Sequence, residues 1–503
     1  MGSAEANIVV GLVTVSASLA QAELLAGAVR HLRPILASVD ALAAAFAEAG
    51  HEFALVGGPL RDAFLGRVSP DLDFTTSARP EEIEALLKAW ADHTWDVGRA
   101  FGTIGGRRGE LVVEITTYRA DAYDLNSRKP IVAFGDSLAG DLRRRDFTIN
   151  AMALRLPEQV FVDPHDGLGD LKVMRLRTPH TPAVSFSDDP LRMMRAARFA
   201  STLGVRISAD VAEAMTDMAD RLTIVSPERV RDEFNRLLVG PDPRAGLEVL
   251  VDSGLADHVL PELPAMQLEV DEHHRHKDVY QHSLQVLEQA IALEDPPEAT
   301  GQEEVPGPDL VLRLAALLHD IGKPDTRRFT PGGGVSFHHH EVVGAKLARR
   351  RLRALRYDKD TIKAVTRLVE LHLRFHGYGG GEWTDAAVRR YVTDAGDLLG
   401  RLHALTRSDC TTRNQRKAAR LAASYDDLER RIAVLRAQEE LSAVRPELNG
   451  NEIADVLGIS PGPVLGRAYK FLLSVRMEQG QIGREAVIAE LHTWWKEQPE
   501  SAQ

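Results

Sequence analysis

The sequence predicts an α+β protein, in which a head of mixed strands and helices precedes a long, almost all-helical body. Strand-like apolar runs, namely "FALVGG", "LDFTT", "ELVVEITTYR" and "VFVDP", are confined to about residues 36–177. After Asp188 the apolar residues recur at helical spacing instead. A chain of 503 residues is also too long for one ordinary domain. We therefore expect an N-terminal extension (1–35), the head (36–177), a helical neck (178–262), a further helical domain (263–430) and a helical tail (431–503).

Turn signals divide the body into separate helices. The stretches "DPLRMMRAARFASTLG" and "PERVRDEFNRLLVG" both end in glycine, which commonly terminates a helix. Residues 294–310, "EDPPEATGQEEVPGPDL", are rich in proline, glycine and acids, and they predict a surface loop. The three glycines of "TPGGGVSF" predict another turn.

The composition narrows the class of protein. A single cysteine, Cys410, excludes a disulfide framework and a cysteine-rich zinc site, and it fits a reducing cytoplasm. No apolar run reaches the roughly 20 residues of a membrane span. The apolar stretch "NIVVGLVTVSASLA" lacks a basic flank before it, so we interpret it as an ordinary N-terminal segment and not as a signal peptide.

The charge is unevenly distributed along the chain. The net charge of -12 disfavours a protein that is coated by nucleic acid. Local basic clusters nevertheless occur in "RRRLRAL", in "RDFTIN" with its preceding arginines, and in "TRNQRKAARLAA". Such clusters can hold RNA with an affinity that falls as the salt concentration rises.

The stretch "PDLDF" predicts a metal site in the head. Its alternation is typical of a strand, in which Asp71 and Asp73 point to the same face. Paired carboxylates repel each other unless a cation neutralises them, and oxygen ligands suit Mg²⁺. Glu114, in a second strand-like run, is the candidate third acid. Gly57 and Gly58 stand at a strand-to-helix turn, where backbone N–H groups can approach a phosphate. An isolated pair of such acids is more often a solvated strand edge, but the double glycine, the Arg-Asp pair and the two acids together favour the metal site.

These elements resemble the nucleotidyltransferase superfamily that includes DNA polymerase beta-like enzymes. Four further motifs follow in order: "RRRDFTINAMAL" (143–154), "DPHDGLGDL" (163–171), "SDDPLRMMRAARFA" (187–200) and "SPERVRDEF" (226–234). Together they resemble the class II tRNA nucleotidyltransferases, the CCA-adding enzymes, which are closely related to bacterial poly(A) polymerases. The resemblance covers about residues 36–260 and extends more loosely beyond. It implies a polymerase beta-like nucleotidyltransferase head and a neck that selects nucleotides and binds RNA.

The resemblance also implies roles for single residues. Asp71 and Asp73 would bind two Mg²⁺ ions, with Glu114 as the third catalytic acid. Arg145 and Asp146 would meet the ribose 2′-hydroxyl and so select NTP over dNTP. The full set of nucleotide-binding residues that we expect is Gly57, Gly58, Arg61, Arg119, Arg145, Asp146, Asn150, Asp189, Arg192 and Arg195.

Base selection without a template can be derived from hydrogen-bond chemistry. In a helical "DDPLRMMRAARF", Asp189 and Arg192 would share one face, which Arg195 continues. Cytosine and adenine both present an amino donor beside a ring acceptor, so an Asp/Arg pair matches both. Guanine and uracil reverse this pattern, and each mismatched buried group costs about 1–3 kcal/mol. The alternative is a solvated i,i+3 ion pair. The family usually has Glu where this chain has Asp188.

A second metal site is predicted in residues 263–430. The run "HDIGKP", with a histidine before it and an aspartate after it, resembles the HD phosphohydrolase superfamily. The resemblance implies six ligands: His282, His319, Asp320 and Asp409 as the core, with His340 and His372 added as in two-metal versions. Imidazole and carboxylate ligands together suit Mn, Fe, Ni, Co or Zn. The domain is expected to be either a 2′,3′-cyclic phosphodiesterase or phosphatase, or a scaffold.

The remaining histidines and the tail give weaker signals. His338 and His339 are expected to be exposed, and the histidines of "DEHHRHKD" to lie on the surface. In the tail we expect Asn451 and Glu452 to precede a helix, and a second helix to begin at the second proline of "SPGP". Near that start lie two candidate tRNA contacts, Arg467 and Lys470.

The leading hypothesis is a cytoplasmic CTP(ATP):tRNA nucleotidyltransferase that builds or repairs the 3′-terminal CCA. Its partners would be CTP, ATP and the acceptor stem and elbow of tRNA. The alternatives are a poly(A) polymerase, or a tRNA nucleotidyltransferase that adds only A or only CC, a choice that depends partly on residues 120–134. Alternatives of another class are an HD hydrolase or an RNA-binding protein with a vestigial head, which the paired acids disfavour. The sequence leaves open the oligomeric state, the metal of the HD site and its substrate.

Overall fold

The computed structural model describes residues 19–67, 71–120, 133–135, 137–267, 278–294, 305–330, 334–378, 383–412, 414–439 and 445–499. The chain forms two compact units. The first unit comprises Met1–Leu237 and Pro241–Val259, and the second comprises Leu238–Gly240 and Leu260–Gln503. A mixed sheet in the first unit and helices throughout the second confirm the predicted α+β class. Among the described helices, none combines the length and the apolar character that crossing a bilayer requires.

The first unit is built on a mixed, seven-stranded sheet with the order β3-β4-β5-β2-β1-β8-β9. Strands β2 and β5 are parallel, and every other neighbouring pair in this sheet is antiparallel. The strands of this unit are β1 (Phe53–Val56), β2 (Asp71–Thr76), β3 (His93–Trp95), β4 (Thr103–Arg108), β5 (Leu111–Thr117), β6 (Arg119–Ala120), β7 (Ala133–Phe134), β8 (Ala153–Leu156), β9 (Val160–Val162), β10 (Arg175–Leu176) and β11 (Arg206–Ile207).

Eleven helices belong to the described part of the first unit. They are α1 (Leu19–Glu48), α2 (Gly58–Phe64), α3 (Pro80–Trp90), α4 (Leu138–Arg143), α5 (Gly167–Lys172), α6 (Pro182–Asp188), α7 (Leu191–Leu203), α8 (Ala209–Asp217), α9 (Pro227–Leu238), α10 (Pro243–Asp252) and α11 (Ala256–Val259). Helix α7 ends at Gly204, which is left-handed, as the sequence predicts.

Helix α1 packs on the sheet through one apolar face. Phe46 of α1 stacks on Phe53 of β1, which stacks on Phe74 of β2, with 4.5 Å between ring centroids in both pairs. Each ring is fully buried, so the helix and the two central strands share one core. The expected boundary at residue 35 falls inside α1, because the apolar spacing of the helix continues across it.

The second unit is helical apart from one hairpin in its described part. Its elements are α12 (Glu262–Ala265), α13 (Val279–Ile291), α14 (Leu310–Leu318), α15 (Lys323–Thr326), β12 (Arg328–Thr330), β13 (Gly334–Ser336), α16 (His340–Ala354), α17 (Lys359–Leu371), α18 (Asp385–Ala395), α19 (Leu399–Ser408), α20 (Gln415–Glu439), α21 (Gly450–Leu457), α22 (Pro463–Gln479) and α23 (Arg484–Lys496). The expected boundary at residue 430 falls inside α20.

One close approach fixes the start of α15 against α16. A Cβ atom on Gly322 would lie 2.2 Å from the carbonyl oxygen of His340 and 2.6 Å from the backbone nitrogen of Gly344. No side chain fits in that space, so only glycine allows the turn after Asp320 to pack on the first turn of α16.

The tail differs from the prediction at its first helix. Asn451 and Glu452 do not precede α21; they lie in its first turn, and Asn449 is the N-cap. The Asn449 side chain accepts from the backbone of Glu452, whose carboxylate accepts from the Asn449 backbone in return. The prediction was wrong because the capping box places the cap three residues before the glutamate. Helix α22 begins at Pro463, as expected.

Several predicted features lie outside the described residues. These are most of the apolar N-terminal stretch, the loop residues 295–304, the histidines of "DEHHRHKD", the first two glycines of "TPGGGVSF" and most of residues 120–134.

Candidate functional site

The three acids predicted for the head lie on neighbouring parallel strands. Asp71 and Asp73 are exposed on either side of the buried Leu72 at the start of β2. In the register of β2 with β5, Asp73 is opposite Glu114. Strand alternation therefore points the three carboxylates to one face, as the sequence predicts. Their ligand atoms do not form a group of three within 4.8 Å of one another, among the described residues.

The electrostatics of these acids favour a bound cation. Loss of water around the carboxylate raises the pKa of Asp73, against the opposing charge of Arg145, and the neighbouring Asp71 adds to the rise. Loss of water also raises the pKa of Glu114, and the charges of Asp73 and Asp71 add to this. Crowded carboxylates that resist ionisation are stabilised by a divalent cation, and oxygen ligands of this kind fit Mg²⁺.

A tight turn joins β1 to α2 beside Asp73. Gly57 has a φ of 74°, a left-handed conformation that side chains rarely adopt. A Cβ atom on Gly57 would also lie 3.1 Å from Nη1 of Arg145 and 3.8 Å from Oδ2 of Asp73. Glycine therefore keeps this backbone open next to a carboxylate and a guanidinium.

The turn forms one wall of a cavity of about 210 Å³ in the first unit. The described residues that line it are Gly57, Gly58, Arg61, Asp73, Arg145, Asp146, Asn150, Arg195, Arg198 and Phe199. Four guanidinium groups against two carboxylates make the cavity suitable for an anion such as a triphosphate.

A hydrogen-bonded network holds the cavity side chains. Nη2 of Arg195 lies 2.6 Å from Oδ2 of Asp146. The other oxygen of Asp146 accepts from Asn150, and Asn150 in turn accepts from Arg61 at 2.7 Å. Burial opposes ionisation of Asp146, but Arg195 and the hydrogen bond from Asn150 outweigh it and hold the pKa of Asp146 below its ordinary value. The network thus keeps a charged aspartate at the cavity wall, and Asn150 links it to Arg61.

The motif "DPHDGLGDL" stabilises this wall of the cavity through hydrogen bonds. Asp163 accepts hydrogen bonds from the backbone of Gly167 and Leu168. Asp170 accepts from Thr148, which begins the short helical turn Thr148–Asn150. The motif therefore positions the turn that carries Asn150 and does not itself line the cavity.

Three residues of the cavity region, Arg198, Phe199 and Glu233, were not predicted from the sequence. Arg198 lines the cavity, and its Nε lies 2.6 Å from Oε2 of Glu233 in α9. Its guanidinium lies 4.2 Å from the ring centroid of Phe199. The arginine continues the three-residue spacing of Arg192 and Arg195 along α7, and that spacing was the signal that could have identified it.

Asp189 and Arg192 do not share a helix face, so that expectation was wrong. Asp189 is extended, with a φ of -144°, between α6 and α7. The physical reason is Pro190, because a residue before proline avoids the helical conformation. Asp189 pairs with Arg229 of α9 at 3.1 Å.

Arg192 is buried and has other partners. Its Nη1 donates to Oγ of Ser185 at 2.8 Å, and its Nη2 donates to the carbonyl oxygen of Arg144 at 2.5 Å. The simple alternative, an ion pair between Asp189 and Arg192, is therefore also absent from the described residues.

Arg119, another predicted nucleotide-binding residue, lies on β6 and donates to Oγ1 of Thr103. It is not among the described residues that line the cavity.

The second unit brings the six predicted HD residues together. Nε2 of His282 lies 3.4 Å from Oδ2 of Asp320 and 3.0 Å from Oδ1 of Asp409. Nε2 of His319 lies 3.2 Å from Oδ2 of Asp320 and 3.7 Å from Oδ1 of Asp409. These four residues come from α13, the end of α14 and the end of α19.

The other oxygen of Asp320 faces two further histidines. Its Oδ1 lies 3.2 Å from Nε2 of His340 and 3.9 Å from Nε2 of His372. His338 and His339 are exposed, as expected. Asp320 therefore stands between two groups of possible ligands, and we name all six residues the HD cluster.

The ring orientations in the HD cluster fit a metal. The Nδ1 atoms of His319, His340 and His372 lie 2.7–2.8 Å from the carbonyl oxygens of Ala316, Phe337 and Val369. Donation to these carbonyls leaves Nε2 as the free ligand atom, as in many metal-bound histidines. Nε2 of His372 is buried and has no hydrogen-bond partner among the described residues, and Nε2 of His340 has only the Asp320 carboxylate at 3.2 Å nearby in that part of the chain; a metal ion would satisfy both atoms.

The charges in the HD cluster are strongly coupled. Burial opposes the charged form of His319, but Asp320 and Asp409 outweigh it and raise its pKa to about 10. Burial and the charge of His319 lower the pKa of His372 to about 3. Burial opposes ionisation of Asp320 and Asp409, but the charge of His319 and hydrogen bonds from neighbouring histidines outweigh it and hold both pKa values well below the ordinary value. The proton on His319 thus balances the aspartates, and a bound metal ion would take its place. Lys323, which the sequence analysis did not single out, donates to Oδ2 of Asp320 at 2.5 Å.

Three family models match consecutive parts of the chain. The poly A polymerase head domain matches residues 53–177, the "probable RNA and SrmB-binding site of polymerase A" matches residues 204–266, and the HD domain matches residues 279–430.

Curated relatives share these regions to different extents. An A-adding tRNA nucleotidyltransferase of Deinococcus radiodurans is 34% identical over 463 residues, which are 89% of this chain and 96% of the relative. A CCA-adding enzyme of Lacticaseibacillus paracasei is 43% identical over 223 residues, which are 44% of this chain and 53% of the relative. The second match thus spans about half the length of that enzyme.

Solved structures share the fold. The Bacillus stearothermophilus CCA-adding enzyme in complex with CTP has a TM-score of 0.67 and 22% identity, over 93% of this chain and 98% of that chain. The Thermotoga maritima CCA-adding enzyme complexed with tRNA has a TM-score of 0.56 and 17% identity, over 94% of this chain and 98% of that chain.

Proposed function

Because this chain belongs to the family of class II tRNA nucleotidyltransferases and poly(A) polymerases, we propose that it adds the 3′-terminal CCA to tRNA from CTP and ATP. The observation that carries the proposal is the placement of Asp71 and Asp73 beside an arginine-rich cavity with an open glycine turn. This arrangement supports metal binding and triphosphate binding side by side, at one end of the central strands β1 and β2.

The acids of the head are proposed to hold two Mg²⁺ ions. When bound, these ions would activate the RNA 3′-hydroxyl and neutralise the triphosphate and the leaving pyrophosphate. Asp71 and Asp73 would provide the ligand oxygens, with Glu114 opposite Asp73 in the parallel register as the third acid. Water or substrate oxygens would complete the coordination of the ions.

The cavity residues are proposed to hold the nucleotide. The backbone of Gly57 and Gly58 and the guanidinium of Arg61 would contact the phosphates. Arg145 and the ionised Asp146 would meet the ribose 2′-hydroxyl, with Arg195 holding the aspartate in place. Arg119, which stands on β6, remains a proposed nucleotide contact outside this cavity.

Base selection is proposed to use Asp189 and Arg192 from two sides of the α6–α7 junction. A carboxylate accepts and a guanidinium donates, so the two together match the donor and acceptor edges of cytosine and adenine. Their present partners, Arg229 and Ser185, would hold each side chain ready for the base. Guanine and uracil would leave these polar groups unpaired.

The head acids provide the direct test. We expect Asp71→Asn and Asp73→Asn each to lower the incorporation of labelled AMP into tRNA about 1,000-fold, since metal stabilisation supplies several kcal/mol. Asp96→Asn is the matched control, because it changes one exposed acid of the same unit that is paired with Arg99. Equal incorporation by all three variants would contradict the proposal.

A second candidate function is the addition of A alone. It is favoured by the A-adding tRNA nucleotidyltransferase of Deinococcus radiodurans, a relative that matches 89% of this chain. Incubation with CTP as the sole nucleotide separates the two functions. A CCA-adding enzyme incorporates CMP into tRNA that ends at the discriminator base, whereas an A-adding enzyme incorporates none.

The HD cluster is proposed to be a metal-dependent phosphohydrolase centre that acts on RNA 3′ ends. When bound, a transition metal such as Mn, Fe, Ni, Co or Zn would supply an activated water. His319→Ala and Asp320→Ala should each abolish metal-stimulated release of phosphate from 2′,3′-cyclic RNA ends and lower the metal content of the purified protein. Retention of both properties would contradict the proposal.

We also propose that the protein is cytoplasmic. Its single cysteine, which is half-buried and free, fits a reducing compartment, and its proposed RNA substrates are found there.

A further inference from the structure

The exposed side of α16 carries a row of basic side chains. Lys346, Arg349, Arg350 and Arg353 are all exposed to solvent. Their spacing along the helix places them on one side of it, opposite the buried residues of the same helix. We name these four residues the α16 basic row.

The α16 basic row has few acidic partners. Arg350 lies 3.8 Å from Glu262, a carboxylate that is bound more closely by Arg351 at 2.8 Å. Lys346, Arg349 and Arg353 form no ion pair with an acid in the described part of the chain. Like charges three or four residues apart destabilise a helix by about 0.2–0.5 kcal/mol per pair, so most exposed helix faces alternate acids and bases. A row of this kind, in a chain with a net charge of -12, is stabilised by a bound polyanion.

The same helix begins in the HD cluster. Its first residue is His340, whose Nε2 lies 3.2 Å from Oδ1 of Asp320. At about 1.5 Å per residue, Lys346 lies about 9 Å and Arg353 about 20 Å along the helix axis from His340. A strand that follows the row toward the N-terminus of α16 therefore arrives at the cluster.

We propose that the α16 basic row binds the phosphate backbone of an RNA strand and directs the end of that strand to the HD cluster. This inference rests on the proposed action of the second unit on RNA ends. Charge complementarity favours a polyanion, and the exposed apolar side chain on this side of the helix is Val342, which is too little apolar surface for insertion into a lipid bilayer. RNA is therefore favoured over an anionic membrane.

The test is RNA binding by the full-length triple variant Lys346→Gln, Arg349→Gln and Arg353→Gln. Fluorescence anisotropy with labelled oligo(A) RNA gives the dissociation constant at several salt concentrations. Each phosphate contact to a single strand contributes about 0.7 to the slope of log affinity against log salt. Loss of three contacts should therefore lower the slope by about 2 and weaken binding at low salt.

A control variant that loses the same number of charges distinguishes the contribution of the α16 basic row to RNA binding from that of the net charge. The triple variant Arg390→Gln, Arg430→Gln and Arg484→Gln removes three exposed positive charges from the same unit, each of which is already paired with an acid. We expect this control to keep the slope of the parent. Equal slopes for the two triple variants would overturn the proposal, as would binding of anionic vesicles in place of RNA.

Photocrosslinking locates the RNA. A benzoylphenylalanine at position 342, in place of the exposed Val342 on the same side of α16, should crosslink to the oligo(A) strand. The same group in place of Val434, which is exposed on α20, should not. A crosslink at position 434 alone overturns the proposal. Failure of tRNA extension, with the crosslink at 342 intact, would contradict the proposed nucleotidyl transfer and leave this inference standing.

Discussion

Asp146 and Arg195 form an ion pair of 2.6 Å at the wall of the head cavity. The carboxylate is buried, whereas the guanidinium keeps a partly exposed side that faces the cavity. The pair joins the turn after α4 to the middle of α7, so it fixes the position of a charged aspartate between two parts of the first unit.

Asp146→Asn is expected to lower both stability and sugar selectivity. The change leaves a guanidinium without its charge partner, which should lower the free energy of unfolding by about 1–3 kcal/mol. The ratio of kcat/KM for ATP over dATP should fall about 10-fold, because the amide holds the 2′-hydroxyl less well than the ionised acid. Steady-state kinetics and urea unfolding measure the two effects.

Arg195→Lys is the control, because it keeps the positive charge beside Asp146 and should retain most of the stability. Unchanged selectivity for ATP over dATP in the Asp146→Asn enzyme would contradict the role assigned to Asp146.

Glu233→Gln is expected to raise the KM for the nucleotide. Glu233 holds Arg198 at 2.6 Å, and Arg198 lines the cavity. A neutral glutamine leaves the guanidinium less well oriented toward a triphosphate, so the KM for ATP should rise about 5-fold to 10-fold while the KM for tRNA stays constant. Arg236→Gln is the matched control, because Arg236 is exposed and lies 4.0 Å from the same glutamate. A similar rise in both variants would show that Glu233 does not act through Arg198.

Asp189→Ala and Arg192→Ala are expected to relax base selection. Each removes one of the two polar groups proposed to match cytosine and adenine, so incorporation of GMP and UMP should rise relative to AMP. Ser185→Ala removes one anchor of Arg192, but the guanidinium still donates to the carbonyl oxygen of Arg144, so this variant should retain most of the preference. Competition among the four NTPs, read by mass spectrometry of the tRNA end, measures the change. Continued rejection of GTP and UTP by both variants would refute the assignment.

His403 is expected to make the second unit less stable as the pH falls from about 6.5. Burial lowers the pKa of His403 to about 3, and Arg407 and Arg436 add to this, despite the carboxylate of Glu429 at 3.5 Å. Between these pH values the unfolded chain takes up a proton that the folded chain does not. Stability should therefore fall by up to about 1.4 kcal/mol per pH unit as the pH is lowered, and rise again as it is raised.

His403→Phe provides the comparison for this pH dependence. The phenyl ring can keep the stack on Tyr391, whose centroid lies 5.7 Å away, but it cannot take up a proton. Urea unfolding between pH 7 and pH 5 should show a shallower pH dependence for the variant than for the parent. Identical slopes would mean that His403 is not buried in its neutral form.

The common direction of the Asp71 and Asp73 side chains could be predicted from local periodicity, for a physical reason. The alternation of "PDLDF" fixes the directions of Asp71 and Asp73, whatever the rest of the fold. The register that brings Glu114 opposite Asp73 depends on the pairing of distant strands, so the sequence could suggest this neighbour but not its spacing.

At Asp189, by contrast, the local pattern gave a wrong prediction. Helical spacing placed it on the face of Arg192, but Pro190 makes the preceding residue extended, and the chain starts a new helix after it. The pairing of Arg198 with Glu233 could not be predicted either, because it depends on how α7 packs against α9 and not on either helix alone.

The HD cluster was predicted in full as a set of residues, but its arrangement was not. The ordered motifs named all six side chains: five of them form the two groups of possible ligands around Asp320, and Asp409 lies 3.0 Å from His282. The position of Asp320 between two ligand groups, with one oxygen toward each, follows from the packing of five helices, which no local pattern encodes.

The most direct test of the central claim is the extension of tRNA at single-nucleotide resolution. The purified chain is incubated with Mg²⁺, CTP and ATP, together with tRNAs that end at the discriminator base, at C or at CC. CCA addition predicts that all three are extended to the same CCA end. Extension of the CC-ended tRNA alone would contradict CCA addition in favour of A addition, and no extension of any of them would contradict nucleotidyl transfer to tRNA.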